Sequence, residues 1–225
     1  MTTMVPPLAV DIDGTLSRAD RSIDPRALDA LREWPGPVVI ATGKALPFPV
    51  ALSQFIGIQA RVIAENGGIS IVDDELLVHG DRAAADAVVQ EYEAAGYDLG
   101  WGSLDLANRW RETEIAVSLD SPLDPLTTIA EAHGLEVVDT GFAYHVKSPT
   151  VSKGRALVEV ADRLDVDPAS FLAIGDSEND VGMFETAGVS YAVGNADESA
   201  KRTADAVTDG SYADGFLEAL EKASR

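Results

Sequence analysis

Short, fully apolar runs separated by helical segments are the feature that most constrains how this chain can fold. The clearest runs are residues 8–10, 38–41 and 171–174, and polar or turn residues follow each of them. An apolar run of this length, bounded by turn signals, is typical of a strand that is buried on both faces. Strands of this kind joined by helices predict an α/β fold with a mostly parallel sheet and right-handed crossover connections.

The first apolar run leads directly into two aspartates, Asp11 and Asp13, followed by Gly14 and Thr15. Side chains alternate along a strand, so the two carboxylates are expected on the same side. Two adjacent buried anions are costly unless a cation shares their charge, and a hard divalent cation prefers carboxylate oxygens as ligands. The segment therefore predicts a metal-assisted site at the carboxyl end of the first strand.

Other polar residues are expected at the same edge, because open parallel sheets bind ligands beyond the carboxyl ends of their strands. These residues are Thr42, Gly43, Lys153, Asp176 and Asp180. Taken singly, Thr42 could be a helix cap, and Asp176 and Asp180 could be first-turn acids that the helix dipole stabilises. Lys153 follows a predicted N-cap at Ser152, where the dipole opposes a cation, so an anionic partner is expected beside it.

The pattern of the chain changes from about residue 72, where short alternating segments replace the long apolar runs. The segments that follow are predicted as helices at 81–95 and 125–133 and strands at 115–119, 135–138 and 143–146. We therefore expect residues 1–80 and 151–225 to form two parts of one core domain. Residues 81–150 are expected to form a small α/β domain inserted between them.

Charge argues against several classes of partner. The 225 residues include 38 acidic and 17 basic side chains, and the formal net charge of -21 argues against nucleic acid and anionic membranes as partners. Only five of the basic residues are lysines. An acidic chain so poor in lysine is typical of proteins that work in concentrated salt, which screens the self-repulsion; an ordinary acidic protein is the alternative.

Composition also bears on the compartment. The chain has no cysteine, so disulfides, thiolate metal sites and a catalytic thiol are excluded. Residues 1–7 do not resemble a signal peptide, and no apolar run approaches the roughly 20 residues that a transmembrane helix needs. The cytoplasm is therefore the expected location.

Taken together, the polar segments resemble the four motifs of haloacid dehalogenase superfamily phosphatases. Residues 11–15 match the DxDGT motif, and Thr42 matches the threonine or serine of the second motif. Lys153 matches the lysine of the third motif, and residues 175–180 match the GDxxxD motif. The motifs occur in the expected order and cover almost the whole chain. The resemblance implies a Rossmann-like three-layer core with a mostly parallel sheet.

The resemblance also implies how the motif residues act on a phosphomonoester. Asp11 would attack phosphorus and form an aspartyl-phosphate, while Asp13 would protonate the leaving alkoxide and later take a proton from water. Thr42, Gly43 and Lys153 would bind the phosphoryl oxygens.

Mg²⁺ is the cofactor that the resemblance implies. Its ligands would be the Asp11 carboxylate, the main-chain carbonyl of Asp13 and Asp176, with Asp180 completing or orienting the shell of ligands. A carboxylate can attack a phosphomonoester only if the repulsion between the two anions is suppressed, which Mg²⁺ and Lys153 can do together.

Spacing between the motifs indicates which cap the chain carries. The interval from Asp11 to Thr42 has room for only one helix and one strand, whereas the interval from Thr42 to Lys153 contains the change of pattern. This arrangement resembles the second cap class of the superfamily, C2, in its α/β form.

Within the superfamily, the chain is similar to the archaeal phosphoglycolate phosphatases, which share segments like those at 64–68 and 175–180. The similarity implies that 2-phosphoglycolate is hydrolysed to glycolate, so the cap should supply a cation or amides for the second carboxylate. Arg109 and Arg111 are candidates; alternatively they are solvated strand residues that pair with nearby glutamates. Lys44 stands where relatives often carry arginine, so it is not assigned to the site.

Several alternative functions share these motifs. A sugar-phosphate or broad-specificity phosphatase would have the same core residues, and a phosphomutase would pass the phosphoryl group to a second hydroxyl. Outside enzymes, the alternative is an aspartate phosphoacceptor in signalling, although such a module does not need Asp13 as an acid. The expected partner is a small phosphorylated metabolite, and the assembly is open between a monomer and a homodimer. The histidines, including His145, lack metal-ligand spacing and are assigned no role.

Overall fold

The structure is a computed structural model that describes residues 5–223 of the chain. The prediction that the chain has no signal peptide rests partly on residues 1–4, and these, like residues 224–225, lie outside the described residues. Across residues 5–223, no helix is long and apolar enough to cross a bilayer.

The strands of the described residues form two sheets, one large and one small. They are β1 (Leu8–Val10), β2 (Val38–Ala41), β3 (Val62–Ala64), β4 (Ile69–Val72), β5 (Glu75–Val78), β6 (Ile115–Val117), β7 (Glu136–Asp139), β8 (Tyr144–Lys147), β9 (Leu172–Gly175), β10 (Val189–Ala192) and β11 (Ala206–Val207). The large sheet has the order β11-β10-β9-β1-β2-β3-β4-β5, and all neighbours from β11 to β3 are parallel. The predicted mostly parallel sheet is confirmed.

The central position of β1 follows from its sequence. Leu8, Ala9 and Val10 are fully buried, as expected of a strand that is covered on both faces. β1 pairs with β2 on one side and with β9 on the other, both in parallel. The residues that follow β1, β2 and β9 therefore meet at one edge of the sheet, where the sequence predicts a ligand site.

Helices cover both faces of the large sheet. The helices of the described residues are α1 (Pro25–Glu33), α2 (Pro47–Ile56), α3 (Arg82–Ala94), α4 (Leu123–Ala132), α5 (Lys153–Arg163), α6 (Val181–Thr186), α7 (Glu198–Thr203) and α8 (Ala213–Ala223). α1, α2 and α8 contribute to the core on one face, whereas α5, α6 and α7 contribute to the core on the other. This arrangement confirms the three layers. The predicted N-caps are confirmed as well, since Asp24 caps α1 and Ser152 caps α5.

Some elements at the edges of the large sheet were not predicted from the sequence. β4 and β5 form an antiparallel hairpin in the region that the sequence marked only as a change of pattern. Its two turn residues, Asp73 and Asp74, have positive φ values of 47° and 70°, as a two-residue hairpin turn requires. Asp-Asp is a weaker hairpin signal than Asn-Gly, and β5 is largely exposed, so its alternation is weak. α7 and β11 are too short to show periodicity.

The smaller sheet is a separate module with its own core. It has the order β6-β8-β7 and is antiparallel throughout. Apolar side chains of α3 and α4, including Val88, Tyr92, Leu126 and Ala130, pack with Val146 of the sheet. These elements all lie within the part of the chain that is predicted to be inserted, and the boundaries near residues 80 and 150 stay a prediction.

Candidate active site

The site is built at the end of β1, where the chain turns immediately after the strand. Asp11 is buried, and its amide donates to the carbonyl oxygen of Ile174 in β9 at 3.0 Å. Asp13 lies at the surface with half of its side chain exposed. Gly14 has φ +85°, and a Cβ at this position would lie 2.0 Å from an Asp176 carboxylate oxygen. Only glycine lets the loop pass this close to Asp176.

Lys153 is the cation of the site. It is the first residue of α5 and is completely buried. Its Nζ lies 2.6 Å from Asp11 Oδ1, 2.6 Å from Asp180 Oδ1 and 3.2 Å from Asn179 Oδ1. Burial alone would lower the pKa of Lys153, but the charges of Asp11 and Asp180 outweigh it, so the pKa is raised and the lysine stays protonated. The anionic partner expected beside Lys153 is therefore the carboxylate cluster itself.

Three carboxylates converge at this edge of the sheet. Oxygens of Asp11, Asp176 and Asp180 all lie within 4.8 Å of one another. Burial raises the pKa of Asp11, although Lys153 opposes the shift, and burial together with the charge of Asp11 raises the pKa of Asp176. Lys153 alone does not compensate three acids, of which Asp11 and Asp180 are buried and Asp176 is partly buried. A hard divalent cation that binds oxygen ligands fits the remaining negative charge.

Asp176 and Asp180 differ in how many of their oxygens are already used. Asp180 Oδ1 accepts from Lys153, and Asp180 Oδ2 accepts from the amides of Asp176 and Ser177 at 2.9 and 3.2 Å. The Asp176 side chain, in contrast, makes one hydrogen bond within residues 5–223, which Thr15 Oγ1 donates at a long 3.4 Å. Asp176 is thus the carboxylate most available to a cation, while Asp180 holds Lys153 and the loop in place.

Thr42 and Gly43 follow β2, the strand beside β1. Thr42 is buried, its amide donates to Ile63 in β3, and its Oγ1 accepts from the amide of Lys44 at 3.1 Å. Gly43 passes close to Asn66, since a Cβ there would lie 2.9 Å from Asn66 Oδ1. The structure therefore places both residues at the same edge as Asp11, in a bend where a side chain at position 43 would displace the Asn66 side chain.

Lys44, which was not assigned to the site from the sequence, contacts the second aspartate of the first motif. Its Nζ lies 3.0 Å from Asp13 Oδ2. Both side chains are about half exposed, so the pair lies at the mouth of the site rather than within it. The Asp13 side chain is not among the three converging carboxylates. The expectation that Asp11 and Asp13 are two adjacent buried anions is therefore wrong: β1 ends at Val10, so the alternation of a strand does not extend to Asp13, which lies in an exposed turn.

The two candidate arginines of the smaller module have different surroundings. Arg109 is exposed, whereas Arg111 is buried. Arg111 pairs with Glu114, in agreement with the alternative in which the arginines pair with nearby glutamates. That interpretation also placed both arginines in a strand, which is wrong because residues 109–114 form turns and loop. It had both side chains solvated as well, which is wrong for Arg111, because this side chain is buried. Arg111 Nη1 also donates to the carbonyl oxygen of Gly43 at 3.1 Å.

Sequence reasoning missed three polar residues that connect the site to the smaller module: Asn66, Asn179 and His145. Asn179 Nδ2 donates to Asn66 Oδ1 at 3.1 Å, and Asn66 Nδ2 donates to Glu114 Oε2 at 3.1 Å. His145 Nδ1 lies 2.7 Å from Glu114 Oε1. The one sequence signal was the Asn-Gly-Gly segment after β3, where Asn66 takes the left-handed φ of 56° that asparagine tolerates.

Comparison with protein families and relatives places the chain among phosphatases. A model of the haloacid dehalogenase-like hydrolase family matches residues 8–95 and 131–220. A phosphoglycolate phosphatase of Halobacterium salinarum is 62% identical over 222 residues, covering 99% of each chain. Phosphoglycolate phosphatases of Natronomonas pharaonis and Archaeoglobus fulgidus are 60% and 40% identical and cover 98% and 95% of each chain.

Solved structures show the same fold. A crystal structure from Thermoplasma acidophilum superposes with a TM-score of 0.86 at 27% identity, covering 98% of this chain and 99% of that one. A phosphatase of the haloalkanoate superfamily from Bacteroides thetaiotaomicron superposes with a TM-score of 0.77 at 21% identity, covering 99% of this chain and 96% of that one. Both comparisons span nearly the whole of this chain.

Proposed function

The chain belongs to the haloacid dehalogenase-like hydrolases and is a phosphoester hydrolase, and we propose that its substrate is 2-phosphoglycolate, which it converts to glycolate and phosphate. The relatives named phosphoglycolate phosphatase match this chain over nearly its whole length, at up to 62% identity. The observation that carries the proposed chemistry is the pair formed by buried Lys153 and Asp11 beside two further carboxylates. The expected setting is the cytoplasm.

Asp11 is the nucleophile in this proposal. Its carboxylate oxygen forms a bond to phosphorus, the ester P–O bond breaks, and the electron pair leaves with the glycolate oxygen, which takes a proton from Asp13. Water then attacks the phosphorus of the aspartyl-phosphate and gives a proton back to Asp13, and the bond to Asp11 breaks. Lys153, 2.6 Å from Asp11, reduces the repulsion between the attacking carboxylate and the phosphoryl oxygens.

Asp13 is suited to the proton transfers by its position. Half of its side chain is exposed, so it can exchange protons with substrate and water, unlike the buried Asp11. Lys44, at 3.0 Å, holds the Asp13 carboxylate near the mouth of the site. Thr42 and Gly43 would bind phosphoryl oxygens through hydroxyl and amide groups at the end of β2.

Mg²⁺ fits the donors that the chain offers. The candidate ligands are oxygens only, from the Asp11 and Asp176 carboxylates and the main-chain carbonyl of Asp13, which is the donor set that this ion prefers. When bound, Mg²⁺ would supply positive charge to the nucleophile and the phosphoryl group. Asp180 would orient the loop and Lys153 rather than bind the ion, because both of its oxygens already accept hydrogen bonds.

The smaller module is proposed to act as a cap. Residues 81–150 carry the three-stranded sheet, and their loop at 111–114 contacts both Gly43 and the segment after β3. A cap in this place would exclude water from the reacting phosphoryl group and would contact the part of the substrate beyond the phosphate.

Phosphate release from a set of esters tests the proposed function. The set comprises 2-phosphoglycolate, glucose 6-phosphate, ribose 5-phosphate and p-nitrophenyl phosphate, each with Mg²⁺ and with a chelator, in concentrated KCl. We expect kcat/KM for 2-phosphoglycolate to exceed the sugar phosphates about tenfold or more, as one charged contact provides. A wide margin in favour of sugar phosphates would contradict the substrate but not the chemistry. No Mg²⁺-dependent release from any ester would contradict both.

A further inference from the structure

A loop of the smaller module is fixed against the core beside the site. The Glu65 carboxylate, just after β3, accepts from the amides of Glu112 and Thr113, both at 2.8 Å, and from the Thr113 hydroxyl at 2.7 Å. Thr113 also fills the space next to Gly68, where a Cβ would lie 2.0 Å from its Oγ1. This clamp holds the loop, and therefore its neighbours Arg111 and Glu114, in one position relative to the core.

Four buried polar side chains meet at this contact. The cap–core cluster, as we call it, consists of Asn66, Arg111, Glu114 and His145. Glu114 Oε1 accepts from Arg111 Nη1 and lies 2.7 Å from His145 Nδ1, and Glu114 Oε2 accepts from Asn66. Glu114 therefore orients the other three members.

The cap–core cluster touches the phosphate end of the site from two directions. Arg111 Nη1 donates to the carbonyl oxygen of Gly43, the residue after Thr42. On the other side, Asn66 accepts from Asn179, whose Oδ1 lies 3.2 Å from Lys153 Nζ. A group bound near Arg111 would thus lie close to a phosphoryl group held by Thr42 and Lys153, near enough for both groups to belong to one small molecule.

The cap–core cluster places a buried arginine, Arg111, in a chain that is otherwise strongly acidic. The formal net charge of the protein is -21, and the edge of the sheet carries three converging carboxylates. Burial by itself would raise the pKa of Glu114, but His145 and Arg111 outweigh it and lower the pKa, so Glu114 stays ionised and pairs with Arg111. Arg111 Nε donates to the carbonyl oxygen of Ala107, and Nη1 donates to Gly43 and Glu114. Arg111 Nη2 makes no hydrogen bond to any of residues 5–223.

We propose that Arg111, with His145 beside it, binds the carboxylate of the substrate, and that Glu114 and Asn66 are positioning residues for this pair. The inference rests on the proposed function. In 2-phosphoglycolate only one methylene separates the ester oxygen from the carboxylate, so the second anion must lie close to the phosphate. Arg111 suits this task because its Nη2, which makes no hydrogen bond to residues 5–223, keeps two N–H groups that can donate to a carboxylate.

A matched pair of substrates tests this assignment. Ethyl phosphate has the same ester linkage as 2-phosphoglycolate but a methyl group in place of the carboxylate. In Arg111→Met we expect kcat/KM for 2-phosphoglycolate to fall about 100-fold, the range of one charged contact, while kcat/KM for ethyl phosphate changes less than about threefold. Arg111→Lys should restore part of the loss, and Arg202→Met, which changes an exposed arginine of α7, should have little effect on either ester.

The outcomes separate this inference from the proposed function. An equal fall for both esters in Arg111→Met, or no fall for either, would overturn the carboxylate assignment while leaving the function intact. If the wild-type protein has the same kcat/KM for ethyl phosphate as for 2-phosphoglycolate, the proposed substrate would instead be contradicted. Because Arg111→Met leaves Glu114 with one fewer partner, Arg111→Met/Glu114→Gln is measured as well, with circular dichroism as the check of folding. It should show the same selective loss; a folded double variant that retains wild-type discrimination would overturn the inference.

Discussion

Phosphate release is expected to fall about 10⁴-fold or more when Asp11 is replaced by asparagine, the size of effect that follows removal of a nucleophile. Asparagine has nearly the same shape and can still accept from Lys153, so the fold of the site is kept. Its amide oxygen, however, carries no full negative charge and cannot form the aspartyl-phosphate. Steady-state kinetics of the purified variant against 2-phosphoglycolate measures this loss.

Stability is expected to move in the opposite direction to activity. Burial raises the pKa of Asp11 in the folded protein above its value in the unfolded chain. As the pH rises above the unfolded pKa, the unfolded chain ionises more easily than the folded protein, so the folded state loses stability. Asp11→Asn removes that cost. The metal-free variant should therefore melt at pH 7 at the same temperature as the metal-free wild type or above it. Asp29→Asn, which changes an exposed acid on α1, is the control and should leave activity unchanged. Retained activity in Asp11→Asn would contradict the mechanism.

Asp176→Asn is expected to weaken Mg²⁺ binding. Unlike the other two converging carboxylates, the Asp176 carboxylate does not pair with Lys153, and its one hydrogen bond within residues 5–223 is long. The pKa of Asp176 is raised by burial and by the charges of Asp11 and Asp180. We expect activity at saturating Mg²⁺ to fall about 10³-fold, comparable to the loss of one group that stabilises transition-state charge.

Thermal melting provides a second readout for Asp176→Asn that does not depend on activity. In the wild type, Mg²⁺ binds the folded state and should raise Tm, whereas in the variant the same concentration should have little effect. Without Mg²⁺, the variant should melt above the wild type, because one uncompensated acid has been removed from the cluster of three carboxylates. A variant whose Tm still rises with Mg²⁺ as in the wild type would show that the ion binds elsewhere.

The central part of the site could be predicted from the sequence because each residue follows a local signal. Asp11 ends an apolar run, Lys153 follows an N-cap, and Asp176 begins the turn after another apolar run. Parallel strands bring their carboxyl ends to one edge, so these local signals combine into a site without knowledge of side-chain contacts. The structure brings the three residues together with Asp180 as expected.

The contact between the core and the smaller module could not be predicted in the same way. Asn66 lies 48 positions from Glu114 and 79 from His145, and no periodic pattern relates residues at such distances. Arg111 was a candidate from its charge, but its burial depends on how the loop packs against Gly43 and Glu65. Packing between two modules is a tertiary property, which composition and spacing do not encode locally.

The aspartyl-phosphate is the most direct test of the account. During turnover with 2-phosphoglycolate, the protein is denatured rapidly and treated with borohydride, which reduces an acyl phosphate to an alcohol and so converts a phosphorylated aspartate to homoserine. Peptide mass spectrometry then locates the change. We predict homoserine at position 11, absent without substrate and absent in Asp11→Asn. Turnover in which Asp11 remains unmodified, or in which a different carboxylate is reduced, would contradict Asp11 as the nucleophile.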